Sequence, residues 1–226
     1  MRLRFADRAD AGRALAEALA PLGWPRDALV LALPRGGVPV ACEVARSLGL
    51  PLDVLVVRKL GVPFQPELAM GAIASGGALV VNEEVVAWLP SPETFERVRR
   101  EEQAELERRE REYRGGRPAP DVRGRTVILV DDGLATGATM EAAVRSLRAL
   151  GAARIVAAVP VASQGARERI AAVADQVVCL DVPEAFHAVG QCYRDFGQTS
   201  DDEVRDLLEQ ARANLARLQF ARGEGA

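Results

Sequence analysis

Apolar residues come along this chain in short unbroken runs, each followed by a small or polar turn and then by a stretch with helical spacing. Residues 28–33 (ALVLAL) form such a run; after a Pro/Gly turn, Val40, Ala41, Val44, Ala45 and Leu48 share one helical face, and Gly49 stops the pattern. Residues 53–57 (DVLVV) predict a second strand that ends at Arg58 and Lys59. Residues 126–130 (TVILV) predict a third, running into Asp131 and Asp132, and behind it Met140, Val144 and Leu147 sit at helical spacing before Gly151. Residues 154–161 and 176–180 read as two more strands, with a helix near 166–173 between them. Strands that are apolar on both sides must be covered on both faces. The pattern therefore predicts an α/β fold: a doubly wound, mainly parallel sheet with helices on both faces. Ligands of such sheets bind beyond the carboxyl ends of the strands, and the polar motifs of this chain fall there.

Three parts lie outside that core, and all belong to one domain over residues 1–226. An N-terminal helix is expected behind a cap at Asp7, with Leu15 and Leu19 facing inward. An insertion at about 61–125 holds small-residue segments (72–75, 78–81) and then a highly charged helix over 92–114. In that helix the pairs Glu93–Arg97, Glu96–Arg100, Glu105–Arg109, Glu107–Arg111 and Glu110–Arg114 stand four apart in the favourable order. Such alternation describes a solvated helix face. The last helix opens on Ser200-Asp201-Asp202-Glu203, a capping-box pattern, and buries Val204, Leu207, Leu208, Ala211 and Leu215.

The net charge of −3 argues against nucleic acid as a partner, because backbone neutralisation needs a basic face. Lys59 is the only lysine, so any role that needs an ammonium group falls on it. Three cysteines (Cys42, Cys179, Cys192) at unrelated spacings give neither a disulfide framework nor a zinc site. No apolar run has the length to cross a bilayer, and the first residues lack the apolar core of a signal peptide, so a cytoplasmic location is expected without a membrane partner. Homo-oligomerisation is left open.

The segment with the most chemistry is residues 127–140, VILVDDGLATGATM. A buried strand delivers two adjacent carboxylates, Asp131 and Asp132, and a loop of small and hydroxylated residues (Ala135, Thr136, Gly137, Ala138, Thr139) then turns into a helix. Small residues let backbone close around a phosphate, and a helix N-terminus offers free amides and a favourable dipole. The carboxylates repel phosphate, but they suit the vicinal hydroxyls of a ribose. A receiver-type acidic pair would need a later lysine, and a Walker loop would need a lysine before Thr139; the sequence has neither.

This segment resembles the donor-binding signature of type I phosphoribosyltransferases, two acidic residues followed by a T-G-x-T phosphate loop, and most closely its adenine-type version. Two further segments agree with the resemblance. Pro34-Arg35-Gly36-Gly37-Val38-Pro39 resembles the family's pyrophosphate loop, which implies a non-proline cis peptide at Arg35–Gly36. Arg58-Lys59-Leu60-Gly61 resembles the basic pair that reaches the pyrophosphate in adenine-type members. The likeness in fold covers about residues 25–190, and the sharp motifs only these three segments.

The resemblance implies an enzyme that moves the 5-phosphoribosyl group of phosphoribosyl pyrophosphate to a nitrogen nucleophile such as a nucleobase, releasing pyrophosphate. Arg35, Arg58 and Lys59 would stabilise the leaving group, and Gly36, Gly37 and the 131–139 segment would bind the donor. It implies Mg2+ as cofactor, with Asp131 and Asp132 meeting it indirectly or through water. It also implies a mobile lid in the insertion and a C-terminal hood over about 182–220, where Phe186 would stack on the acceptor. Two departures bear on that acceptor. Ala135 stands where hypoxanthine-guanine types carry a catalytic Asp, and their purine-reading lysine has no counterpart. His187, the only histidine, reads as structural. Two other functions stay open: a non-catalytic protein that senses the donor, and a donor-dependent hydrolase or phosphorylase-like variant.

Overall fold

A computed structural model of the chain describes residues 5–89 and 91–223, apart from the side chains of 66, 67, 219 and 221–223. In chain order the elements are α1 (Arg8–Leu19), β1 (Leu29–Ala32), α2 (Gly37–Leu48), β2 (Leu52–Val54), β3 (Val57–Val62), β4 (Gln65–Ala74) and β5 (Ala78–Val81). They continue with α3 (Glu83–Val86), α4 (Pro92–Arg114), β6 (Thr126–Val130), α5 (Ala138–Ala149), β7 (Arg154–Val161), α6 (Gln164–Ala171), β8 (Gln176–Asp181) and α7 (Asp201–Gly223). Five strands form an all-parallel sheet in the order β2-β1-β6-β7-β8.

The doubly wound reading therefore holds, and side-chain alternation shows how both faces are covered. Val30, Ala32, Ile128 and Val130 point into one core with Leu15 and Leu19 of α1, Val40 and Val44 of α2, and Val204 and Leu208 of α7. Leu29, Leu31, Val127 and Leu129 point into the other, with Met140, Val144 and Leu147 of α5 and Ile170 of α6. Each of these side chains larger than alanine, removed from water, contributes about 1.5–3 kcal/mol before entropy is counted. Both expected caps form. Asp7 Oδ1 accepts from the Asp10 amide at 2.7 Å, and Ser200 Oγ accepts from the Glu203 amide at 3.1 Å. No helix among the described residues is long and apolar enough to cross a membrane.

The insertion departs from expectation at its start. The strand expected over 53–57 is cut in two: β2 ends at Val54, and β3 begins at Val57 in a second, antiparallel sheet of order β3-β4-β5. Leu55 still hydrogen-bonds to Ala32 O at 2.9 Å, but the Val56 amide donates to Ser75 Oγ at 3.0 Å. A buried serine thus takes over the ladder where the chain changes sheets. Apolar patterning cannot show this, since Leu55 and Val56 are both buried, in different cores.

Helix α4 spans the predicted residues, but its charges pair differently. Of the five expected pairs, Glu105–Arg109 and Glu110–Arg114 form, whereas Arg97 pairs with Glu101, Arg99 with Glu96, and Arg108 with both Glu105 and Glu112. The helix is docked through Val98, Leu106 and Tyr113, and Arg114 is only 1% exposed. The segment expected as a hood divides in two. Residues 182–199 form the connection from β8 to α7 and pack Val189 and Tyr193 by the carboxyl ends of β6 and β7, while α7 packs its Val204 and Leu208 into the core.

Candidate active site

Strand order reverses beside β1: its sequence neighbour β2 lies on one side and β6 on the other. At such a switch point the loops leaving two adjacent strands part and open a crevice. Here those loops are 33–37, after β1, and 131–137, after β6. They pack against each other closely enough to require glycine. A Cβ on Gly36 would lie 2.0 Å from Asp132 Oδ2, and one on Gly37 would lie 2.8 Å from Val130 O and 2.9 Å from Asp131 Cα. Two motifs almost a hundred residues apart thus form one surface. The cis peptide of this loop is Pro34–Arg35, one residue before the place expected for it.

Burial governs the acidic pair. Asp131 is pushed well above the usual carboxylate range by burial first and then by the like charge of Asp132. Burial raises Asp132 as well, but Arg8 opposes the shift. Asp131 Oδ1 accepts from the Asp132 amide at 2.8 Å, and Arg8 Nε donates to Asp132 Oδ2 at 2.8 Å. The hydroxyl of Tyr193 donates to Asp132 O at 2.6 Å. Sequence reasoning finds neither Arg8 nor Tyr193. Arg8 opens α1, 124 residues before its partner, and nothing local marks it.

After the pair, Gly133 and Leu134 lead into a loop that ends on α5. Gly137 stands at the N-cap with a positive φ of 75°, and the first amide bonded back to it is that of Glu141, at 2.8 Å. Among the described residues, the amides of Ala135, Thr136, Gly137 and Thr139 donate to no backbone carbonyl outside the regular elements. Ala135, Thr136 and Thr139 are exposed, and Ala138 is half-buried. Thr136 Oγ1 accepts from the Ala138 amide at 3.3 Å, and Ser163 Oγ holds Ala135 O at 2.7 Å, which braces the loop from α6. This is a shaped set of donors at a helix N-terminus, suited to an anion.

The basic residues are less concentrated than expected. Arg35 lies in the 33–37 loop, half-buried, with Nη1 at 3.8 Å from Asp201 Oδ2 at the start of α7. Asp201 in turn accepts from the Tyr113 hydroxyl at 2.6 Å. Arg58 and Lys59 are not at the end of a central strand; they lie inside β3, where they pair with Ile73 and Ala72. Successive strand residues face opposite ways, so the two side chains leave β3 on opposite faces. Arg58 is held by Glu102 of α4 at 2.6 Å, whereas Lys59 is exposed. Phe186 is partly buried against the cluster of Phe5, Val161, Cys192 and Tyr193. The exposed ring near the acidic pair is Phe196. His187 is exposed, and its amide donates to Gln191 Oε1 at 3.2 Å.

The phosphoribosyl transferase domain profile matches residues 8–196. Two curated relatives from Mycobacterium tuberculosis, strains CDC 1551 and H37Rv, carry the provisional name phosphoribosyl transferase. Each is 53% identical over 213 residues, a match that takes in 94% of this chain and 48% of the relative. The chain therefore spans about half the length of the curated relatives it matches. The crystal structure of TT1426 from Thermus thermophilus superimposes with a TM-score of 0.83 at 50% identity, over 91% of this chain and 97% of that one. With a profile match over most of its length and relatives this similar, the chain belongs to the phosphoribosyl transferase domain family.

Proposed function

We propose that this chain transfers a 5-phosphoribosyl group from phosphoribosyl pyrophosphate to a nitrogen nucleophile, with nucleobases as the first acceptor class to test. The observation that carries the reading is the apposition of Gly36 and Gly37 to Asp131 and Asp132, just ahead of the donor-rich loop at the α5 N-terminus. In this reading Ala135–Thr139 cradle the 5-phosphate, and the acidic pair accepts from the ribose diol. The 33–37 loop, Arg35 and Lys59 face the pyrophosphate. As the anomeric C–O bond breaks ahead of attack, charge gathers on the leaving group. Fixed cations and amides there stabilise the transition state more than the ground state.

The carboxylates fit Mg2+ as hard oxygen ligands. Among the described residues, no group of three or more His, Cys, Asp or Glu forms a cage. Asp131 and Asp132 would therefore hold the ion through donor oxygens and water. Bound there, Mg2+ supplies neutralisation of the diphosphate. We assign the covering of the donor and the exclusion of water to the tip of the β3–β4 hairpin, where Phe64 is 96% exposed.

Phosphoribosyl pyrophosphate with Mg2+ should raise the melting temperature, by about 2.7 kcal/mol of stabilisation at a hundredfold excess over Kd. The double variant Asp131→Asn, Asp132→Asn should lose that shift. Full stabilisation of the double variant would remove these residues from the ribose site. A nucleobase panel scanned for donor-dependent pyrophosphate release tests the transfer itself. Stabilisation without release against any acceptor would favour a donor sensor.

A further inference from the structure

We propose that Arg8 is a positioning residue of this site: it commits one oxygen of Asp132 to the protein so that the other can accept from a sugar hydroxyl. The inference rests on reading the acidic pair as a ribose site, and it assigns a task to a residue far from all three sequence motifs.

The contacts form a closed circuit around Asp132. Arg8 Nε donates to Asp132 Oδ2 at 2.8 Å, and Arg8 Nη1 donates to Gly197 O at 2.6 Å. The guanidinium lies 3.9 Å from the centre of the Phe196 ring. Phe196 stacks on Tyr193 with centroids 5.0 Å apart, and the Tyr193 hydroxyl returns to Asp132 O at 2.6 Å. Arg8 therefore holds the carboxylate, and Tyr193 holds the carbonyl of the same residue.

This ion pair is not a loose surface pair of the kind worth little. Its side chains are 13% and 14% exposed, and the guanidinium is fixed in three directions at once. Asp132 Oδ2 is also walled by Gly36, where a Cβ would lie 2.0 Å away. With Oδ2 engaged by Arg8 and lying against Gly36, the ligand hydroxyl is assigned to Oδ1. The residue type matters too. An arginine can pair, donate a second bond and lie flat on an aromatic ring at once, whereas a lysine carries the charge without the plane.

The test is calorimetric, and it separates the sugar hydroxyls from the phosphate. Ribose 5-phosphate, its 2-deoxy and 3-deoxy analogues and inorganic phosphate are titrated into the wild type, Arg8→Gln and Arg8→Lys. The wild type should prefer ribose 5-phosphate over at least one deoxy analogue by about tenfold, as befits a hydrogen bond to a charged group. Arg8→Gln should lose that preference while binding inorganic phosphate as before, and Arg8→Lys should recover part of it. A preference retained in Arg8→Gln overturns the proposal. So does an equal loss for every ligand, phosphate included, which would make Arg8 a support of the fold alone. Should Arg8→Gln fail to fold, Arg8→Lys carries the same comparison, and an undiminished preference there overturns the proposal. A wild type that binds phosphate but ignores the sugar hydroxyls overturns the ribose reading, and this inference with it.

Discussion

Helix α4 is rich in arginine, yet replacing one of them should cost far more than replacing any other. Arg114 is 1% exposed and divides its guanidinium among three acceptors: Asp53 Oδ1 at 2.9 Å, Glu110 Oε1 at 2.5 Å and the carbonyl of Val54. The first and last belong to β2, so this side chain clamps the end of α4 onto the edge of the central sheet. Arg114→Ala would leave Asp53, 17% exposed, with only the Val54 amide on its Oδ1, and would take from the carbonyl of buried Val54 the guanidinium bonded to it. Breaking a buried pair from one side typically costs about 3–5 kcal/mol, and the partial exposure of Asp53 favours the lower end. Arg108 is the control. It also makes ion pairs, with Glu105 and Glu112, but it is 55% exposed, and such pairs are worth about 0–1 kcal/mol.

Urea denaturation followed by far-UV circular dichroism measures both variants. The expected result is a loss of about 3 kcal/mol or more for Arg114→Ala and under about 1 kcal/mol for Arg108→Ala. Equal, small losses would refute the clamp. The outcome bears on function, because a helix clamped in this way is a strut and cannot open and close as a lid. Hydrogen exchange over residues 98–114 should then be slow with or without donor and Mg2+, whereas residues 61–68 of the β3–β4 hairpin should exchange fast and slow on binding.

Other outcomes follow from the site. Asp131 is raised by burial and by Asp132, so the folded state holds its proton more tightly than the unfolded chain does. Stability should fall as pH climbs from the ordinary carboxylate value of 3.8 through the raised one, and the whole cost should stand above it. Asp131→Asn removes that cost and should raise the melting temperature of the free protein at neutral pH, with the gain shrinking towards about pH 4; parallel melting curves across that range would contradict it. Gly37→Ala puts a Cβ 2.8 Å from Val130 O and should cost about 1–3 kcal/mol through overpacking, along with donor affinity; calorimetry and thermal melts on one sample check both. Lys59→Ala should weaken pyrophosphate-containing ligands more than ribose 5-phosphate, whereas Arg58→Ala should mainly loosen α4 by freeing Glu102. Loss of affinity confined to Arg58→Ala would reverse that assignment.

The parts of the site that the sequence reveals are those in which strand, turn and helix follow one another without a break. Residues 127–140 and 34–39 each carry their geometry locally, through buried strand, small residues and helix start, so their chemistry can be read in one pass. What brings them together, the contact of Gly36 and Gly37 with the acidic pair, needs the strand order, and only the family resemblance points to it in advance. Arg58 and Lys59 lie away from their expected place because apolar patterning runs straight through a change of sheet, and the one sign of that change is a hydroxyl on Ser75. Arg8, Tyr193 and Ser163 have no local signal, and Asp201 is marked only as part of a helix start, since each reaches the site from a different part of the chain.

The same logic explains why the charged helix is the hardest element to interpret. Glu110–Arg114 and Glu105–Arg109 have identical spacing and order, and a sequence cannot separate them. In the fold, Arg109 stays partly in water while Arg114 meets Asp53 and a strand carbonyl across the chain. Desolvation turns one of two equal pairs into a clamp, and desolvation is a property of what lies opposite. A lid and a strut can therefore share one charge pattern. What distinguishes them is whether a single arginine at the end of the helix finds a buried partner, and here it finds two carboxylates and a backbone carbonyl. The expectation of a closing element then passes to the tip of the β3–β4 hairpin, beyond the Arg58–Glu102 pair that ties β3 to α4, where Phe64 is 96% exposed; exchange over residues 61–68 with and without donor decides it.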